Sequence, residues 1–200
     1  MSKLMDDYEN KKQLYCTPPH ITKALLKREV FPGMIWEPAA GRGHIVRVLR
    51  ECGYTEIVCS DINDWGFDGC RIEDFLTTTR KCDCIVTNPP HDRLMPKFVA
   101  KAKLLARHKI AMLLPVQFEH TVEYVGNHLA DADFPWKAEY TFPQTIRWEN
   151  VHEHHGYIKH AWFVFERGYR GPVIREPIMF RRNRPLSSSA RRNTDRKSSH

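Results

Sequence analysis

Apolar positions recur along this chain in two rhythms. Ile21, Ala24 and Leu25 fall at helical spacing and predict a helix over Ile21–Arg28, with Pro18-Pro19 suited to its start. Ile45, Val48, Leu49 and Cys52 predict another over His44–Cys52, and Phe98, Ala102 and Leu105 a third over Pro96–Ala106. A fourth is expected over Thr121–Leu129. Between them lie short apolar or alternating runs that read as strands: Met34–Glu37, Glu56–Ser60, a short piece near Gly69–Ile72, Cys82–Thr87 and Lys109–Pro115. Trp136–Phe142 and His160–Glu166 read as a terminal strand pair. Strands alternating with helices predict an α/β protein, a parallel sheet with helices on both faces. Ligands of such sheets bind at the carboxyl ends of the strands, where Glu37, Asp61, Asp74 and Asn88 fall.

Two of these strand ends carry unusual sequence. Met34-Ile35-Trp36-Glu37-Pro38-Ala39-Ala40-Gly41-Arg42-Gly43 is a strand running into a glycine turn, with a helix to follow. Small residues there let the backbone approach a ligand at the helix N-terminus. The dinucleotide fingerprint needs a third glycine where this chain has Val46. The acidic Glu37 disfavours a pyrophosphate and suits a cationic or hydroxyl-bearing ligand. The other end is Asn88-Pro89-Pro90-His91, directly after Cys84-Ile85-Val86-Thr87. Each proline fixes φ and removes a donor, and Pro89 biases Asn88 toward extended backbone. The turn therefore presents one amide, bare carbonyls and one ring, a set that can accept hydrogens from an amino group and cover a flat ligand.

Together these motifs resemble the class I S-adenosylmethionine-dependent methyltransferases, in the group that methylates amino nitrogens, and within it the adenine-N6 methyltransferases of DNA. The resemblance runs from about Tyr15 to about Glu166. It implies a Rossmann-like sheet of seven mostly parallel strands, the last antiparallel. It implies S-adenosylmethionine as cofactor, with Glu37, Pro38, Ala39, Gly41 and Gly43 around its methionine part and Asp61, followed by Ile62, on its ribose. It further implies that Asp74-Phe75 holds the adenine ring and that Tyr15-Cys16-Thr17-Pro18 covers the cofactor. Asn88, Pro89, Pro90 and His91 then form the catalytic loop, with Asn88 also beside the cofactor. The Asn88 oxygen and the Pro89 carbonyl would accept the amino hydrogens, and the ring would stack on a base flipped out of its helix. His91 departs from the family, which has Tyr, Phe or Trp there; His is flat and can stack, with less area.

Composition limits the alternatives. The chain of 200 residues suits one domain, with a methyltransferase domain over 1–170 (core 14–166) and a basic, flexible tail over 171–200. Residues 1–166 hold 21 basic and 22 acidic side chains; residues 167–200 hold 10 and 2, so the net positive charge lies at the end. Such a tail suits nucleic-acid phosphates, or serves only solubility. No run is long enough to span a membrane and Met1–Lys12 is unlike a signal peptide, which predicts a cytoplasmic protein. Cysteines 16, 52, 59, 70, 82 and 84 show no Cys-x-x-Cys pair and read as free thiols. His152, His154 and His155 lie in an irregular insertion, Pro143–Tyr157, and read as a solvated loop rather than a metal site. In the same insertion, Arg147 and Trp148 suit a nucleic-acid strand or ordinary packing equally.

The expected partner is nucleic acid, DNA foremost. Adenine in RNA and glutamine amides of proteins present similar hydrogens, and the loop does not separate them. A cofactor- or nucleic-acid-binding module without turnover is the non-enzymatic alternative, opposed by the intact Glu37, Gly41, Gly43 and Asn88.

Overall fold

Among the described residues, eight strands make one mixed sheet. The computed structural model describes residues 14–91, 93–120, 131–148 and 158–179. In chain order these are α1 (Pro19–Leu26), β1 (Ile35–Glu37), α2 (His44–Glu51), β2 (Ile57–Asp61), β3 (Arg71–Ile72) and β4 (Cys82–Thr87). There follow α3 (Met95–Leu105), β5 (Ala106–Pro115), a 3-10 turn (Val116–His120), β6 (Trp136–Phe142), β7 (His160–Glu166) and β8 (Ile174–Pro177). The segment expected as a helix over Thr121–Leu129 lies outside the described residues, as does the histidine cluster.

Strands β3, β2, β1, β4 and β5 are mutually parallel, while β7 is antiparallel to both β5 and β6. The chain winds outward from β1 through β2 to β3, then crosses back and winds the other way through β4 to β5. The switch point therefore falls between β1 and β4, where a crevice opens at the carboxyl ends.

Strand alternation divides the core by face. On one side Ile35, Cys84, Val86, Ala111, Leu113, Trp162 and Val164 pack against Ile21 and Leu25 of α1 and Ile45 and Leu49 of α2. On the other, Trp36, Ile85, Ile110, Met112, Phe163 and Phe165 pack against Phe98, Val99, Ala102 and Leu105 of α3. Pro19 begins α1, where a missing donor does no harm. Helix α3 ends at Leu105 and β5 begins at the next residue. The Arg167 guanidinium secures that junction by donating to the carbonyls of Lys103, Ala106 and Arg107.

Among the described residues the sheet has eight strands where the resemblance implies seven. The extra one, β8, runs parallel to β6 and lies inside the segment expected to be a flexible tail. Its residues are mostly exposed, so it carries none of the apolar pattern that marks the others. The rest of that tail, from residue 180, lies outside the described residues. All six cysteines are thiols outside any disulfide. Among the described residues no helix is long and apolar enough to cross a membrane, and no cluster of His, Cys, Asp and Glu is fit to hold a metal ion.

Candidate active site

Three strands end on a polar residue at the same edge of the sheet: β1 on Glu37, β2 on Asp61 and β4 on Thr87. Antiparallel β7 brings His160 to that edge, opposite Pro115 of β5.

Glu37 is 1% exposed. One carboxyl oxygen, Oε1, accepts from the Thr87 hydroxyl at 2.5 Å and from the Ala39 amide at 3.2 Å. The other, Oε2, is buried with no hydrogen-bond partner. Burial pushes this carboxyl up to about 8, against the two bonds that favour the anion. A buried acid with one bare oxygen is matched to a ligand that brings its own donor or positive charge.

Beyond Glu37 the chain turns through Pro38, buried, and Ala40, whose carbonyl accepts from the Gly43 amide at 2.7 Å. Gly41 and Gly43 both have positive φ, 51° and 77°. A Cβ on Gly41 would lie 2.7 Å from Leu14, and one on Gly43 would lie 2.3 Å from the Phe67 ring. Both glycines are therefore needed, by backbone conformation and by close neighbours. Gly43 stands at the N-cap of α2. The Gly41 amide donates to Asp61 Oδ2 at 2.9 Å, which ties the glycine turn to the end of β2. Asp61 Oδ1 accepts from the Asn63 amide and from the Trp65 indole at 3.0 Å. Beside Asp61, Ile62 is 63% exposed, an apolar side chain free to cover a flat ligand.

Asp74 and Phe75 follow β3. Asp74 Oδ1 accepts from the Leu76 amide at 2.9 Å, closing a local turn. The Phe75 ring is core, 2% exposed and packed on Trp36 and Phe98. What this residue offers a ligand is its backbone, since its side chain is used by the fold.

Asn88 Nδ2 donates to the Tyr15 carbonyl at 3.3 Å and to the Thr17 hydroxyl at 3.1 Å. A carbonyl can only accept, so this contact fixes which end of the amide faces the N-terminal segment. The remaining oxygen, Oδ1, is buried without a partner. Pro18 and Pro89 are buried, and Pro90 partly so. The His91 ring lies next to them, its Nε2 donating to the Leu113 carbonyl at 3.1 Å. Around it gather Tyr15, Trp148 and His160, with ring centroids 5.7, 5.9 and 4.9 Å from that of His91. Trp148 also meets Tyr15 and stands edge-on to His160. Burial first, then the neighbouring His91, pushes His160 down to about 3, so its imidazole is neutral.

The sequence-predicted residues thus form two linked groups. Glu37, Ala39, Gly41 and Asp61 surround the glycine turn, while Tyr15, Thr17, Asn88 and His91 surround the proline loop. Residues not singled out from sequence complete them. Thr87 joins Glu37 to the proline loop, Trp65 braces Asp61, and His160 backs His91. A lone hydroxyl or ring at a strand end carries no pattern that would have exposed them.

No protein-family model and no curated protein matches the sequence. Solved structures do resemble the fold. A presumed RNA methyltransferase from Pyrococcus horikoshii aligns at 15% identity and TM-score 0.63, over 78% of this chain and 85% of that one. The modification subunit of a presumed type I restriction enzyme from Vibrio vulnificus aligns at 13% identity and TM-score 0.61, over 91% of this chain. This chain spans only 50% of that subunit. Magnesium protoporphyrin IX methyltransferase from Synechocystis, solved with bound S-adenosylmethionine, aligns at 14% identity and TM-score 0.52, over 74% and 76% of the two chains. The chain has the fold of the class I methyltransferases.

Proposed function

We propose that this protein is an S-adenosylmethionine-dependent methyltransferase that modifies the N6 amino group of adenine in DNA. The carrying observation is Asn88: a half-buried amide, anchored through its nitrogen, with its buried acceptor oxygen left bare.

The chain's residues fit that cofactor. Glu37 Oε2 is a bare buried acceptor beside a glycine turn and suits the cationic methionine part. Asp61 Oδ2 accepts one protein donor and has room for a ribose hydroxyl. Ile62 is placed to cover the adenine, with Asp74 and the Phe75 backbone at its edge. Tyr15, Thr17 and Pro18 form the cover over the proline loop. When bound, the cofactor supplies a methyl group already activated on a sulfonium.

The protein then has to hold the acceptor nitrogen in line and stabilise the charge that develops on it. An adenine amino group is a weak nucleophile because its lone pair is spread into the ring. Asn88 Oδ1 and the Pro89 carbonyl accept its two hydrogens and favour a more tetrahedral nitrogen. Held this way, the nitrogen would face the activated methyl group that the cofactor would supply, and one amino proton would leave afterwards to solvent. His91 stacks on the base, a role that needs a flat ring and not a charge.

The test is methyl transfer from labelled cofactor to unmethylated duplex DNA, single-stranded DNA and total RNA in parallel, with Asn88→Ala as control. N6-methyladenine in DNA, absent with the variant, supports the reading. Label confined to RNA replaces the acceptor and keeps the chemistry. Label in neither, with the cofactor bound, shifts the weight to a protein amide as acceptor, a missing partner or a binding module without turnover.

A further inference from the structure

Thr87 is fully buried and separates the two halves of the site by a single residue. It ends β4, and the next residue is Asn88. Its hydroxyl reaches sideways to the adjacent strand end and donates to Glu37 Oε1. The Ala39 amide donates to the same oxygen. Both protein donors therefore sit on one carboxyl oxygen, and Oε2 is left bare. Nothing in the packing of a strand end requires a hydroxyl at a fully buried position: valine has the same branching and would fill the space. A buried hydroxyl aimed at a buried acid points instead to control of that acid.

We propose that Thr87 is a positioning residue for the cofactor: its hydroxyl holds Oε1 of Glu37 so that Oε2 faces the ligand's ammonium group, and it ties that carboxylate to the Asn88 loop. The inference rests on the cofactor reading above. In the ligand-free protein Glu37 is protonated near neutral pH, because burial penalises its anion. An arriving cation reverses that preference, so the carboxyl gives its proton to solvent and becomes a carboxylate. A hydrogen bond to a carboxylate is worth about twice one to a neutral acid. The Thr87 bond therefore strengthens when the ligand binds, on the strand that carries Asn88.

The experiment is calorimetric titration with S-adenosylhomocysteine, which keeps the ammonium group, in buffers of different ionisation heat between pH 6 and 9. Wild type, Thr87→Val and Thr87→Ser are compared. Wild type should release close to one proton per ligand at pH 7, since the group titrates at about 8. Thr87→Val should bind about 10-fold more weakly or worse, from loss of a charge-assisted bond. Its binding should also need a higher pH, while Thr87→Ser restores both. Should Thr87→Val fail to fold, Thr87→Ala takes its place. Equal affinity and pH midpoint in Val and wild type would overturn the proposal. So would a Ser variant as weak as Val, since packing and not the hydroxyl would then matter. If wild type itself binds neither S-adenosylhomocysteine nor S-adenosylmethionine, the cofactor reading fails first, which the same titration shows.

Discussion

The ring of His91 lies nearly parallel to that of Tyr15, with 16° between the planes and 5.7 Å between centroids. The two rings come from distant parts of the chain, one before the sheet begins and one after β4. If His91 serves as a stacking surface, its area and flatness matter more than its ionisation. His91→Ala should raise the KM for nucleic acid about 5-fold or more, from a stacking contact of roughly 1–3 kcal/mol. Cofactor affinity should be unchanged. His91→Phe should hold near wild type, and steady-state kinetics with both substrates varied separates the two parameters.

Asn88 should divide binding from turnover. In Asn88→Ala the bare acceptor is gone, and kcat should fall about 100-fold or more, in line with removal of one preorganised hydrogen-bonding group. Cofactor titration should show little change. Asn88→Asp should behave worse than its shape suggests: both carboxylate oxygens accept, so one would face the Tyr15 carbonyl with no hydrogen between them. Single-turnover assays and ligand titration on the two variants check this.

Stability should depend on pH in a way that two buried groups dictate. Glu37 is raised from 4.5 to about 8, so folding takes up a proton between those values and stability falls as pH rises through them. His160 is lowered from 6.5 to about 3, so its contribution is lost as pH falls through that window. From 4.5 to 6.5 the two slopes oppose, each about 1.4 kcal/mol per pH unit, and nearly cancel. Melting temperature should therefore be flat across that range, fall from 6.5 to 8, and fall again on acidification. Glu37→Gln should remove the alkaline decline, and His160→Phe should soften the acid one. A melting curve for Glu37→Gln that still drops from pH 6.5 to 8 would assign the decline elsewhere.

The opposite edge of the sheet should carry stability without function. Glu29, 2% exposed, accepts from Lys109 at 2.7 Å, from Lys137 at 2.9 Å and from the Tyr140 phenol at 2.8 Å. Glu166 meets both lysines from the end of β7. Removing Glu29 leaves a buried cation underpaired, so Glu29→Ala should cost about 3–5 kcal/mol in denaturant unfolding. Cofactor affinity well below the melting point should be unaffected.

Much of this architecture was legible because strand ends and glycine turns obey local rules. The runs Cys82–Thr87, Trp136–Phe142 and His160–Glu166 form strands with those bounds. Others moved by a few residues for identifiable reasons. Strand β5 starts at Ala106, three residues early, since exposed Arg107 and His108 hide the pattern while Arg167 holds their backbone. Helix α1 runs over Pro19–Leu26, shifted toward its prolines. Strand β8 was illegible, because an edge strand of Ile-Arg-Glu-Pro composition buries almost nothing. Phe75 illustrates a different limit: a short motif names the residue, but only packing decides whether its ring serves the ligand or the core.

Segment 14–18 has a consequence for timing. Leu14 closes against Gly41, and the backbone of Tyr15 anchors Asn88, so the same few residues lie over both the glycine turn and the acceptor amide. Under the proposed function, lifting them to admit or discharge the spent cofactor also releases the amide that grips the base. Turnover would then proceed in compulsory order, cofactor first in and last out. The pace of steady cycling would be set by how often this segment lifts, and a burst of methylated product in the first turnover would be its kinetic mark.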